Sequence, residues 1–313
     1  VPEGEPRKAT EVSFPEWVPA AVRNVLNRPA PRFLWRLSQE IGDDDVSGLA
    51  AEMAYRFLFA LFPFLIFLAA FVGFIGARVG STDLFEQVMG LMAQLFPSDV
   101  QRVLEDWVRG VLSTQSPGLL TAGAAGALWG AAGGVGTLMK GLNRAYDVAE
   151  SRPFWLSQAF SLLTTVVLAI LMLGGVALNT VGVILISWAV ANLGVDEGIW
   201  FWWNFVRGPG VTLALAIVLA TLYALLPNQR LGFRHTWPGA LFATIAWVLL
   251  TMGFGFYVSN LGSFDRTFGS LGAAVVLMVW MYAVGMILLV GGEINALAHG
   301  RKREERVGLV ARS

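Results

Sequence analysis

The chain has 313 residues, 56% of them hydrophobic and 14% charged. A soluble domain carries about a quarter charged residues, so an ordinary soluble globule is excluded. The formal net charge is zero and cysteine is absent, which removes a basic field for nucleic acid, disulfides, thiolate metal sites and thiol nucleophiles.

Residues 1–45 are polar and contain proline, with no cleavable signal peptide in view, so the first apolar span is expected to act as the insertion signal. Within this segment Phe33, Leu34, Leu37 and Ile41 share one helical face, which predicts an interfacial helix over 31–41. The first apolar span lies near 50–76, with Pro63 inside it. Beyond it, residues 77–117 hold two amphipathic stretches, one carrying Leu84, Phe85, Val88 and Leu91 and the other Val103, Leu104, Trp107 and Val108. They read as periplasmic helices that rest on the membrane or the bundle, or that form a lid over a cavity. The second span, near 118–140, is rich in glycine, and the third runs near 156–190. Trp188, Trp200, Trp202 and Trp203 follow around the third outer turn, as expected of an interfacial aromatic anchor. The fourth span, near 208–226, ends at Leu226-Pro227-Asn228; the fifth lies near 237–258 and the sixth near 269–298. The turn between the last two, Ser259 to Ser270, is dense in Gly, Asn and Ser and reads as a tight structural turn. Residues 301–313 form a basic tail.

Each span is long enough for a hydrocarbon core of about 30 Å. Each is expected to be a helix, because an open strand edge finds no partner in lipid. The predicted fold is an all-α, polytopic transmembrane bundle of about six helices over residues 46–300, with amphipathic interfacial and periplasmic helices. With the N-terminus inside, the inner segments hold 16 Lys and Arg against 5 in the outer ones. The positive-inside rule then places both termini in the cytoplasm.

Two groups of residues stand out. Ala122, Gly126, Gly130 and Gly134 repeat at four-residue spacing, which lets another helix approach closely; packing within the chain and a homo-oligomer both fit. Ionisable and amide residues gather near the predicted cytoplasmic ends of three spans: Glu52 and Arg56, Asn143 and Arg144, Glu293 and Asn295. An unpaired charge at the bilayer centre costs at least about 2.5–3.5 kcal/mol, so such groups pair or line water. They read either as a structural network or as a substrate vestibule, and Glu293 is expected to pair with Arg56 or Arg144. No phosphate loop, dinucleotide fingerprint, nucleophile elbow or metal motif is present. His235 and His299, the only histidines, do not build a metallo-nuclease site by themselves.

Several ordered motifs carry a family resemblance: Ala54-Tyr55 through Leu61-Phe62-Pro63, Leu142-Asn143-Arg144-Ala145-Tyr146, Tyr223 with Leu226-Pro227-Asn228, and Trp237-Pro238-Gly239-Ala240. Tyr257-Val258-Ser259-Asn260, Phe268-Gly269-Ser270-Leu271-Gly272-Ala273 and Gly292-Glu293-Ile294-Asn295 complete the set. In order and spacing the chain resembles the YihY/BrkB family of bacterial inner-membrane proteins over roughly residues 35–300. It departs from the pattern at Phe264 and Phe268, where relatives often have tyrosine, and at Arg56, where an uncharged residue is more usual.

The resemblance implies a six-helix bundle, a virulence-factor label and an old ribonuclease label regarded as a misassignment. It also implies a suggested role in moving lipids or envelope components, and it brings no catalytic residues to carry over. The expected partners are membrane lipids and an unidentified small-molecule or lipid substrate, without nucleic acid, cofactor or metal. A transporter or lipid-handling protein is the favoured reading, and a non-transporting scaffold or envelope-assembly factor is the alternative.

Overall fold

The computed structural model describes residues 29–79, 117–193, 196, 198–229, 231–261 and 270–310. The two outer amphipathic stretches fall outside these, as do residues 1–28 and most of the turn between the last two spans. The described elements are helices α1 (Pro29–Asp43), α2 (Val46–Val79), α3 (Pro117–Ala145), α4 (Phe154–Leu193) and α5 (Ile199–Leu225). A 3-10 turn, Phe233–His235, then leads into α6 (Trp237–Leu261) and α7 (Ser270–Val310).

Among the described residues, five helices contain segments long and apolar enough to cross a membrane: Val46–Phe67, Phe154–Leu193, Ile199–Leu225, Trp237–Tyr257 and Val275–His299. The sixth member of the bundle, α3, has 29 residues and is long enough, but its glycines and alanines make it less apolar. The elements match the apolar runs, with two differences at their ends. Helix α5 begins at Ile199, so Trp200, Trp202 and Trp203 lie in its first turns and not in a loop. Helix α7 continues through the basic stretch to Val310.

The surface supports a bilayer setting. Met172, Leu173, Phe205 and Phe256 are exposed, whereas Glu293, Asn295, Thr236, Thr244 and Ser161 are buried. Water would favour the opposite arrangement, and lipid does not.

Alpha-helices α2 and α3 form a close pair because α3 presents almost no side chain to its neighbour. A Cβ on Gly123 would lie 2.6 Å from the backbone nitrogen of Phe67, one on Gly126 2.9 Å from Pro63, and one on Gly130 2.6 Å from the Ala60 Cβ. A Cβ on Gly134 would lie 2.7 Å from the Phe57 ring. The small-residue stripe therefore packs within the chain. Its fourth member is Gly123, and Ala122, predicted for that place, is exposed. Helix geometry explains the substitution. At about 100° per residue, each four-residue step drifts about 40° around the axis, so Ala122 has rotated about 120° from Gly134, while Gly123 lies about 20° away.

One end of the bundle gathers the starts of α2, α4 and α6, the ends of α3 and α5, and the later part of α7. The apolar core sits in this half. It contains Leu49, Ala50 and Met53 of α2, Val135, Leu138 and Leu142 of α3, Leu219, Ala220 and Tyr223 of α5, Ala240 and Ala243 of α6, and Leu289 of α7. Helix α1 docks here through Leu37 and Ile41, while Leu34 on the same helix stays exposed.

Candidate functional site

The six polar residues singled out in the sequence all lie at this end, but they do not form one cluster. They divide among four local structures, set by which face of its helix each occupies.

Asn143, 5% exposed, is the centre of a latch between two loops. Its Oδ1 accepts from the backbone N–H of Asn228 at 2.7 Å, and its Nδ2 donates to Glu150 at 2.8 Å. The Asn228 side chain donates to the Ala149 carbonyl and to Ser151 Oγ. Arg152 donates to the carbonyls of Leu226 and Pro227, with its guanidinium 4.7 Å over the Phe160 ring. The turn after α3 presents these groups because the helix ends in a Schellman motif. Asp147 takes a left-handed φ of 51°, its N–H bonds the Arg144 carbonyl, and the Val148 N–H bonds the Asn143 carbonyl.

Asn295 is fully buried and serves α6. Its Oδ1 accepts from the Gly239 N–H at 2.7 Å, satisfying a donor in the first turn that has no helical partner. A side chain at Gly239 would collide with the Gly291 carbonyl and with Asn295 itself. One helix over, the Tyr223 hydroxyl donates to the Leu288 carbonyl at 2.7 Å. The run Gly291-Gly292-Glu293-Ile294-Asn295 is thus a crossing point. Gly291 makes room for Tyr223, Gly292 for Leu142, and Asn295 caps the neighbouring helix.

Glu52 and Arg56 pair with each other, Arg56 Nη2 lying 2.9 Å from Glu52 Oε1. Lys140 joins them at 3.3 Å from Glu52 Oε2, and Thr137 Oγ1 donates to Oε1 at 3.1 Å.

Glu293 departs from the expectation. No ion pair among the described residues links it to Arg56 or Arg144. Arg56 is held by Glu52, and Arg144 donates to the main-chain carbonyl of Asp44 at 3.2 Å. Glu293, 2% exposed, instead hydrogen-bonds the side chain of Asp44, in the turn between α1 and α2. Glu40 and Asp147 add further negative charge nearby, and Tyr146 lies close, its hydroxyl held protonated by burial and by the Glu293 charge.

Sequence reasoning missed Asp44, because it belongs to a turn, and Lys140, because it was read only as a topology marker. His235 and His299 meet edge to face, their ring centroids 5.1 Å apart, at the same end.

Burial, followed by the charges of Asp147 and Asp43, raises the Asp44 pKa above its ordinary 3.8, against the lowering effects of the Glu293 hydrogen bond and Arg144. The folded chain therefore holds this proton more tightly than the unfolded chain. The stability Asp44 contributes is complete below 3.8 and is lost as pH rises through its higher folded value. Thermal unfolding in detergent should show wild-type stability falling across that window, and Asp44→Asn should flatten the fall. An unchanged profile in the variant would assign the titration elsewhere.

Comparison with known proteins is consistent with this architecture. The family model described as virulence factor BrkB matches residues 37–312. A protein of Bacillus subtilis described as ribonuclease-like, YfkH, is 36% identical over 254 residues, 81% of this chain and 90% of that protein. A UPF0761 membrane protein of Xanthomonas campestris is 28% identical over 275 residues, 84% of this chain but 59% of its own length. One from Chromobacterium violaceum is 28% identical over 155 residues, half of this chain and 36% of the relative. The chain thus spans from about a third to under two thirds of the length of these UPF0761 relatives. No solved structure matches it.

Proposed function

The chain belongs to the virulence factor BrkB family of membrane proteins, and from that premise we propose that it transports or otherwise handles a small molecule, lipid or envelope component in the bacterial inner membrane. On this reading both termini lie in the cytoplasm, following the bias of Lys and Arg. The polar end of the bundle then faces the cytoplasm.

One observation carries the proposal: Glu293. It is an acid within a membrane span, 2% exposed, whose neighbour is another acid and not a cation. A purely structural acid would gain more from a cationic partner, and intramembrane acids of this kind mark substrate or proton paths. The alternative, a scaffold, draws support from Asn143 and Asn295, whose hydrogen bonds tie helices together. The ribonuclease-like description belongs to the Bacillus relative. Among the described residues no group of three or more His, Asp or Glu is placed to hold a metal ion.

Reconstitution in liposomes with headgroup-labelled lipids separates the readings. Wild-type protein should move label between leaflets, and Glu293→Gln, inserted and folded, should lose most of that movement. Equal rates would remove Glu293 from the path. A wild-type protein that moves no lipid or small-molecule probe, while still required for envelope integrity, would favour the scaffold.

A further inference from the structure

Glu52, Arg56 and Lys140 are separate from the Glu293 cluster, and their setting is unusual. Arg56 and Glu52 lie inside the membrane-spanning segment Val46–Phe67. Yet the Arg56 and Lys140 side chains are 45% and 51% exposed. The surface along the same two helices is aromatic: Tyr55, Phe59 and Phe62 of α2 and Trp129 of α3 are all exposed. In a bilayer such a surface meets lipid, so the two cations stand where lipid headgroups and chains begin.

The cations are also built into place. Glu52 Oε1 accepts from both Nε and Nη2 of Arg56, at 3.0 and 2.9 Å, and from Thr137, while Oε2 takes Lys140. Gly133 leaves the guanidinium its space, since a Cβ there would sit 3.0 Å from Nη1. One carboxylate thus orients two cations from different helices, and the trio keeps a net charge of +1. A lysine ammonium has three donors and a guanidinium five, more than Glu52 can use. Basic groups between membrane helices bind anionic headgroups, and phosphate is the acceptor that suits a guanidinium beside an ammonium.

We propose that Arg56 and Lys140, held by Glu52, bind the phosphate of an anionic phospholipid whose acyl chains lie along the exposed aromatic edge of α2 and α3. The site holds whether or not the protein transports anything, because it rests on exposed cations and not on Glu293.

Native mass spectrometry of the full chain, released from detergent with phosphatidylglycerol or phosphatidylcholine added, provides the test. Wild-type protein should retain phosphatidylglycerol over phosphatidylcholine by roughly tenfold or more, and Arg56→Gln with Lys140→Gln should abolish the preference. Because Arg56 also supports Glu52, the single variant Lys140→Gln, which leaves the Arg56–Glu52 pair intact, should by itself weaken retention. Inorganic phosphate should compete poorly, since the chains contribute to binding. Equal retention of the two lipids, wild-type retention by Lys140→Gln, or full displacement by inorganic phosphate would overturn the proposal.

Discussion

Replacing Gly130 by leucine should prevent the bundle from assembling. Even a single Cβ at this position would lie 2.6 Å from the Ala60 Cβ and 2.9 Å from the Ala60 Cα, so a leucine side chain has no space unless α2 and α3 separate. Overpacking a tight contact costs about 1–3 kcal/mol, and more where backbone must move. Here the neighbours are backbone and an alanine, which cannot rotate away. The separation would also strip contacts from Gly126 and Gly134 on the same face. We expect at least about 3 kcal/mol of destabilisation, read as loss of monodisperse protein in detergent and a collapse of thermal stability. Ala122→Leu, on an exposed position of the same helix, should be tolerated. A Gly130→Leu chain as stable as wild type would show that the two helices do not meet along this face.

Asn143→Leu should also destabilise the chain, by a different route. The substitution keeps the volume but removes one acceptor and one donor from a site only 5% exposed. The part-buried Asn228 N–H loses its partner, whereas Glu150, exposed and still accepting from the Arg152 N–H, can turn to water. The unsatisfied Asn228 group costs about 1–3 kcal/mol, and the loop from Asp147 to Pro153 should loosen as a unit. Hydrogen exchange should report both, with faster exchange at Asn228 and in the α5–α6 connection than elsewhere. Protection unchanged at Asn228 would mean that Asn143 does not hold the latch.

The positions of the helices were legible because a span must be long and apolar, whatever its neighbours are. Leu226-Pro227-Asn228 marked an end correctly, since proline cannot continue the hydrogen-bond ladder. The start of α5 was read nine residues late, at 208 against Ile199, because Asn204 and Arg207 interrupt the apolar run. The polar residues show the limit more clearly. Depth along a helix can be read from sequence, and Glu52, Asn143, Glu293 and Asn295 do share one end. Direction around the helix has meaning only once the neighbours are known. Asn143 and Asn295 face loops and a helix start, Arg56 faces outward, and only Glu293 points at another acid. The expected Glu293–arginine pair failed for that reason. Opposite charges at one depth looked like partners, but Arg56 had a carboxylate four residues away on its own helix, where pairing needs no tertiary arrangement.

The modest apolarity of α3 bears on how the protein reaches its place in the membrane. Transfer from the insertion machinery into lipid is driven residue by residue, strongly for leucine, isoleucine and phenylalanine and only feebly for the glycine and alanine that make up so much of α3. Such a segment partitions poorly by itself. Its best route into the bilayer is alongside a surface that already fits it, and α2, synthesised earlier, offers that surface in Phe57, Ala60, Pro63 and Phe67. Entry of α3 is then a two-helix event. The glycine face that gives the finished bundle its closest contact also makes the insertion of one helix depend on the presence of another.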